Sequence, residues 1–79
     1  MLFKDALESI VIPEKVKSIS SYTFSGCSKL TNISLPSNLT DINSYAFDGC
    51  SSLPYIEIPD TVTSIGSYAF RNCYTLDNF

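Results

Sequence analysis

Residues 30–52 read LTNISLPSNLTDINSYAFDGCSS, and the same 23-residue phrase flanks them on both sides without insertion or deletion. The preceding copy, residues 7–29, reads LESIVIPEKVKSISSYTFSGCSK, and the following copy, residues 53–75, reads LPYIEIPDTVTSIGSYAFRNCYT. A fixed period in this range is typical of solenoids, in which each coil buries its apolar face only against its neighbours. We therefore expect residues 1–79 to form one domain of three stacked coils, with partial coils at 1–6 and 76–79, cut from a longer array.

The first half of each copy contains an alternating segment that predicts a β-strand. In the middle copy this segment is Ile33-Ser34-Leu35. Alternation of apolar and polar residues is the period of a half-buried strand. The proline that follows it cannot donate to a ladder, so it ends the strand. Stacked coils should pair these segments in a short parallel sheet. The outer face of this sheet should present Ser9, Val11, Asn32, Ser34, Tyr55 and Glu57. Asn78 is a further candidate for the same face.

The second half of each copy predicts the opposite wall of the coil. Its β-branched residues, as in Val62-x-x-Ile65, favour short extended pieces. A serine then precedes each Tyr-Thr/Ala-Phe sequence, where its hydroxyl can cap a single helical turn. Glycine or asparagine follows two residues after each phenylalanine and suits the end of that turn, because both tolerate a positive φ. In the core we expect a phenylalanine spine formed by Phe24, Phe47 and Phe70.

These residues resemble the BspA-like, or treponemal-type, class of leucine-rich repeats. Its pattern is roughly Leu-x-x-Ile-x-Leu-Pro-x-x-Leu-x-x-Ile-x-x-x-Ala-Phe-x-x-Cys, and residues 30–52 and 53–75 match it at nearly every place. Residues 7–29 depart from it at Thr23, where alanine is usual. The resemblance implies a β-rich leucine-rich-repeat solenoid of the α/β class. It also implies a cell-surface or secreted protein, associated with adhesion to host, matrix or microbial surface proteins.

The composition argues against catalysis and against a cofactor or metal. The chain has no histidine, the usual general base at neutral pH and the usual partner of a serine or cysteine nucleophile. No Cys-x-x-Cys, oxygen-rich loop or glycine-rich phosphate loop occurs. The three cysteines hold one repeat position, and we interpret them as free buried thiols that behave as small apolar residues. We predict that the protein is not an enzyme and that it has no cofactor.

The charge pattern argues against nucleic-acid and membrane partners. The net charge is −3, and the five basic residues are scattered along the chain. Nucleic-acid binding needs clustered Lys and Arg, because these residues displace the counterions of the phosphates. No apolar run approaches the length of a membrane span. We therefore predict neither nucleic-acid binding nor membrane insertion.

The outer face of the sheet is the best candidate for a contact surface, because solenoids commonly bind partners there. Tyr55 and Glu57 are its most distinctive residues, because they are its one aromatic and its one charged side chain. We predict a non-catalytic protein-binding or adhesion module. The alternative is a structural spacer whose outer residues are only solvated strand polarity.

Two other features could also make contacts. The column of Tyr22, Tyr45 and Tyr68 is either an exposed contact stripe or an outer wall with its hydroxyls in water. The uncapped ends of the stack, near Ile10 and Phe79, predict self-association through unpaired strand edges, or fraying at 1–6 and 76–79.

Overall fold

A computed structural model describes residues 6–77, in which five short strands form two separate parallel sheets. The strands are β1 (Ser9–Val11), β2 (Ser18–Ile19), β3 (Asn32–Ser34), β4 (Asp41–Ile42) and β5 (Ser64–Ile65). One sheet pairs β1 with β3, and the other has the order β2-β4-β5. Every pair aligns residues 23 positions apart, such as Ile10 with Ile33. The predicted leucine-rich-repeat solenoid is therefore confirmed, including the extended pieces in the second half of each copy.

The phenylalanine spine is also confirmed. Phe47 is fully buried, and its ring centroid lies 5.3 Å from that of Phe24 and 5.2 Å from that of Phe70. The rings are nearly parallel, with interplanar angles of 11° and 4°. Around them pack the leucines, isoleucines and cysteines of the repeat. Like residues thus form columns through the core, as the period requires.

The segment around each spine residue is a run of tight turns, so the predicted helical turn was wrong. The amide of Asp48 donates to the carbonyl of Tyr45, and that of Cys50 to Phe47, each at 3.2 Å. A left-handed residue precedes each phenylalanine by two positions and interrupts any right-handed helix. These residues are the three tyrosines, with φ of 65°, 61° and 60° at Tyr22, Tyr45 and Tyr68. Residues 6–77 contain no α-helix, and hence none that could cross a membrane.

The end of each turn matches the sequence prediction. Gly26 and Gly49 have φ of 82° and 83°, and Asn72 has φ of 62°. Glycine and asparagine reach this left-handed region at low cost. The turns of successive coils are joined through this position, because the amide of Gly26 donates to the carbonyl of Asp48 at 2.7 Å.

The first sheet is shorter than predicted: β3 has no strand partner at residues 55–57 within the described range. Pro54 lies at the start of this unpaired segment and removes one of its donors. In the first pair of coils the amide of Thr31 donates to the carbonyl of Glu8 at 2.9 Å. Pro54 occupies the position equivalent to Thr31 and has no N–H, so the same bond between the second and third coils cannot form.

The predicted partial coils fall mostly outside the described residues. Only Ala6, Leu76 and Asp77 belong to the part that the structure describes. The amide of Asp77 donates to the carbonyl of Pro54 at 3.1 Å, which continues the 23-residue ladder at that point. Asn78, the strand edge near Phe79 and the fraying expected at the ends lie outside residues 6–77.

Candidate functional site

An open groove of about 390 Å³ lies where the ladder is interrupted. Its walls come from β3 with the residues just after it, and from the corresponding part of the third coil. Because Pro54 has no N–H, one hydrogen bond between these two coils is missing beside the groove, although the 23-residue period continues. The lining residues are Asn32, Ile33, Ser34, Leu35, Ser37, Tyr55, Glu57 and Pro59.

The six residues predicted for the outer face are all exposed, as the alternation required. The groove brings four of them together, namely Asn32, Ser34, Tyr55 and Glu57. The other two lie on β1, where Ser9 aligns with Asn32 and Val11 with Ser34. Val11, whose side chain is well exposed, therefore adds an apolar position one strand away from the groove.

The chemistry of the groove is mixed. Its aromatic wall is Tyr55, which is 56% exposed. The Glu57 carboxylate is the groove's one charged group, and within residues 6–77 it has no ion-pair partner. Ile33 is buried and Leu35 half-buried, so the groove also has apolar surface between its polar side chains. An exposed aromatic ring beside polar groups is a common composition of protein-contact surfaces.

The edge of the groove is fixed by a contact between coils. The hydroxyl of Ser37 donates to Oε1 of Glu14 at 2.8 Å, and the Ser37 amide donates to the same oxygen at 3.2 Å. These two residues hold the same repeat position in consecutive coils. The side chain of Ser37 is therefore oriented by its neighbour, and the hydroxyl proton is already engaged.

A second polar cluster lies on the turns and was missed by the sequence analysis. Nε of Arg71 donates to Oδ1 of Asp48 at 3.1 Å, and Nη2 donates to Oδ2 at 2.8 Å. The guanidinium carbon also lies 5.1 Å from the ring centroid of Tyr45 and 5.6 Å from that of Tyr68, within cation–π range. The hydrogen bonds to Asp48 raise the pKa of Arg71. The sequence does contain a signal for this ion pair, because Asp48 and Arg71 carry opposite charges and lie 23 residues apart.

The tyrosine column is arranged as an outer wall. The rings of Tyr22 and Tyr45 stack at 4.9 Å with an interplanar angle of 3°, and those of Tyr45 and Tyr68 at 5.3 Å with 28°. Tyr45 is stacked on both faces, whereas Tyr22 and Tyr68 are 54% and 60% exposed. The rings thus form a continuous outer wall, and its exposed ends leave the contact-stripe alternative a prediction.

The three cysteines are free thiols, as predicted, but only Cys27 and Cys50 are buried, whereas Cys73 is half-buried. Cys50 is fully buried, and its Sγ donates to the carbonyl of Phe24 at 3.3 Å. The hydrogen bond with Cys73 and burial both raise the pKa of the Cys50 thiol, which keeps it in the unreactive protonated form. No group of three or more His, Cys, Asp or Glu side chains within residues 6–77 is placed to hold a metal ion.

Stacked 23-residue coils with paired parallel strands define a leucine-rich-repeat solenoid. The profile of the BspA type leucine rich repeat region, which comprises six copies, matches residues 2–79. The chain therefore belongs to the BspA-type leucine-rich-repeat family. No curated protein matches it significantly.

Two solved structures are similar to the chain. A leucine-rich cell surface protein from Faecalibacterium prausnitzii A2-165 is 39% identical over 95% of this chain, with a TM-score of 0.87. A leucine-rich repeat protein of T. pallidum is 32% identical over 91% of this chain, with a TM-score of 0.75. The chain spans 20% of the first protein and 44% of the second.

Proposed function

We propose that this chain is a non-catalytic protein-binding module that contacts its partner through the groove between the second and third coils. One observation carries the proposal: Pro54 removes a donor of the coil-to-coil ladder, and two exposed residues line the groove beside it. These are a tyrosine and a carboxylate that has no ion-pair partner within residues 6–77. An exposed tyrosine provides large contact area at low entropic cost.

The surroundings of the groove suit a protein surface better than a small molecule. The groove is open, and its polar groups alternate with apolar ones along β3. Val11 extends the apolar area onto β1, next to Ser34. Small-molecule sites are usually enclosed and bury most of their ligand, whereas a shallow mixed surface with an aromatic anchor resembles a protein interface.

The family and the relative from F. prausnitzii suggest where the module works. That relative is a cell-surface protein, and we place the present chain on the cell surface or among secreted proteins. Its partner would then be a host, matrix or microbial surface protein. We expect no catalytic activity, because the chain has no histidine, the usual general base at neutral pH.

The second candidate function is that of a spacer, in which the coils only hold other domains apart. The regular columns of the core favour the spacer, because a regularly packed core is all that a rigid spacer needs. The spacer requires no contribution from Tyr55 or Glu57. Removing both side chains therefore discriminates between the two functions.

The test compares a Tyr55→Ala/Glu57→Ala variant with the wild type in binding to whole epithelial cells and to immobilised extracellular-matrix proteins. A Tyr74→Ala/Asp60→Ala variant is the matched control, because it removes an exposed tyrosine and an exposed carboxylate outside the groove. We expect the groove variant to bind at least tenfold more weakly, since truncating a hot-spot residue costs about 2 kcal/mol or more and a tenfold change in affinity corresponds to about 1.4 kcal/mol. Equal binding by all three proteins, or no binding by the wild type, favours the spacer.

A further inference from the structure

We propose that the groove selects an extended partner segment by one basic side chain, whose cationic head pairs with Glu57 beside the ring of Tyr55. The inference rests on the proposed function, because it concerns the same groove. It adds the chemical class of the partner: a lysine or arginine presented by a peptide segment in extended conformation.

The chain itself shows how such a cation is held. On the turns, the guanidinium of Arg71 is bound at two points by Asp48 and lies against the rings of Tyr45 and Tyr68. A carboxylate and a tyrosine are the two components of that arrangement. The groove contains the same two components in Glu57 and Tyr55, and no basic residue of the described range 6–77 belongs to its lining.

The placement of the two groove residues lets them act on one ligand group. Tyr55 and Glu57 are exposed, and Ile56 between them is buried. In an extended segment, residues two apart share a face, with their side chains about 7 Å apart along the chain. A cationic head on that face reaches the carboxylate while the stem or the planar group contacts the ring.

The rest of the lining suits the remainder of an extended segment. Asn32 and Ser34 are the outward residues of β3, and their amide and hydroxyl groups can bond to a peptide backbone. Leu35, half-buried, and Pro59 offer apolar contacts for the methylene stem of a lysine or arginine.

Charge complementarity favours a cation over an anion at this place. Among residues 6–77, Glu57 is the only charged residue that lines the groove, and the chain carries a net charge of −3. An acidic segment would meet like charge on approach, whereas a basic one would gain in both association rate and specificity. Because the site is exposed, the gain should weaken as salt is added.

The test is a titration of the ¹⁵N-labelled 79-residue chain with three peptides, followed by NMR. The peptides are acetyl-Ser-Val-Arg-Val-Ser-amide, the same peptide with citrulline in place of arginine, and the same with glutamate. We expect the arginine peptide to shift amides of residues 32–35 and 55–58 and to bind at least tenfold more tightly than the citrulline peptide. The preference should fall between 50 and 300 mM NaCl.

Variants separate charge selection from simple contact. Glu57→Gln keeps the size of the side chain and should abolish the preference for arginine over citrulline. Asp60→Asn removes an exposed carboxylate outside the groove and should leave the preference intact. Equal affinity for all three peptides, shifts centred elsewhere, or no shift with any peptide overturns the inference. If Tyr55→Ala/Glu57→Ala abolishes cell or matrix binding but Glu57→Gln leaves it unchanged, the binding function stands and charge selection is wrong.

Discussion

Arg71 forms a two-point ion pair with Asp48, the residue at the same repeat position in the preceding coil. Asp48 is only 9% exposed, so its carboxylate depends on protein donors rather than on water. Asn72 supplies a longer contact, at 3.4 Å to Oδ1. Arg71 and Asn72 belong to the third coil and Asp48 to the second. The side-chain contacts that the structure shows for the nearly buried Asp48 carboxylate therefore come from the next coil.

Replacing Arg71 with leucine should destabilise the fold, because a carboxylate that is nearly buried loses its charged partner. We expect the melting temperature to fall by several degrees, on the order of 4–8 °C. Thermal unfolding followed by circular dichroism provides the measurement. Lys29→Leu is the control, because Lys29 is exposed and forms no ion pair with residues 6–77; equal losses in both variants would show that the ion pair contributes nothing specific.

Truncating Phe47 should be far more damaging, because its ring contacts a ring on each side of the spine. Phe→Ala changes in cores cost about 3–5 kcal/mol, which is comparable to the whole stability of a chain this short. We expect Phe47→Ala to remove the cooperative thermal transition, and Phe47→Leu to retain a weakened one. An unchanged melt of Phe47→Ala would contradict the spine as the main source of stability.

Replacing Pro54 with threonine should extend the first sheet. The new amide can donate to the carbonyl of Thr31, as the Thr31 amide does to Glu8. The added hydrogen bond should stabilise the fold by about 0.5–1.5 kcal/mol. Losing the proline should destabilise it by about 0.4–1 kcal/mol, because the unfolded chain gains conformational entropy. The net free energy of unfolding should therefore hardly change. Hydrogen exchange is the sharper measurement.

In the Pro54→Thr variant we expect the amide of residue 54 to be protected, and the arginine peptide to bind more weakly because the groove narrows. A Ser52→Thr variant, which adds a threonine nearby without replacing the imino acid, serves as the control. Rapid exchange at residue 54 would show that Pro54 does not cause the break in the ladder.

The third coil should promote self-association. Ile65 on β5 is 48% exposed, whereas its counterpart Ile42 on β4 is completely buried, and within residues 6–77 the only strand partner of β5 is β4. An open strand edge with an apolar side chain tends to recruit another chain. We propose that the 79-residue protein associates at high concentration, and that Ile65→Lys weakens this association.

Light scattering coupled to size-exclusion chromatography measures the effect over a range of protein concentrations. Tyr74→Lys is the control, because it places the same charge at an exposed residue outside the strand edge. A strict monomer at every concentration would count against this proposal.

Features that recur in every copy could be predicted from the sequence. The columns of Phe47 and its counterparts, the outward residues of β3, and the left-handed positions at Gly26 and Gly49 all follow from the period together with residue chemistry. The left-handed tyrosines also recur, but they were missed, because tyrosine has no intrinsic preference for positive φ. In the middle coil the amides at and after this position bond to the next coil, that of Tyr45 to the carbonyl of Ser67 at 3.2 Å and that of Phe47 to the carbonyl of Ala69 at 2.8 Å.

Features that occur in one copy only were harder to predict. Pro54 replaces a ladder donor, and its effect becomes visible only when the bond between Thr31 and Glu8 is known. The pair of Asp48 and Arg71 requires charges to be compared between copies rather than within one. Both the ion pair and the groove therefore arise from departures from the repeat.

The missing N–H of Pro54 has a wider meaning for arrays of this kind. A stack of identical rungs shows the same surface at every level, and a ligand could then settle anywhere along it. A single proline makes one coil different from the rest and leaves the spacing of all the coils unchanged. On the proposed function, moving one proline would relocate recognition along such an array and leave the residues of its core unchanged.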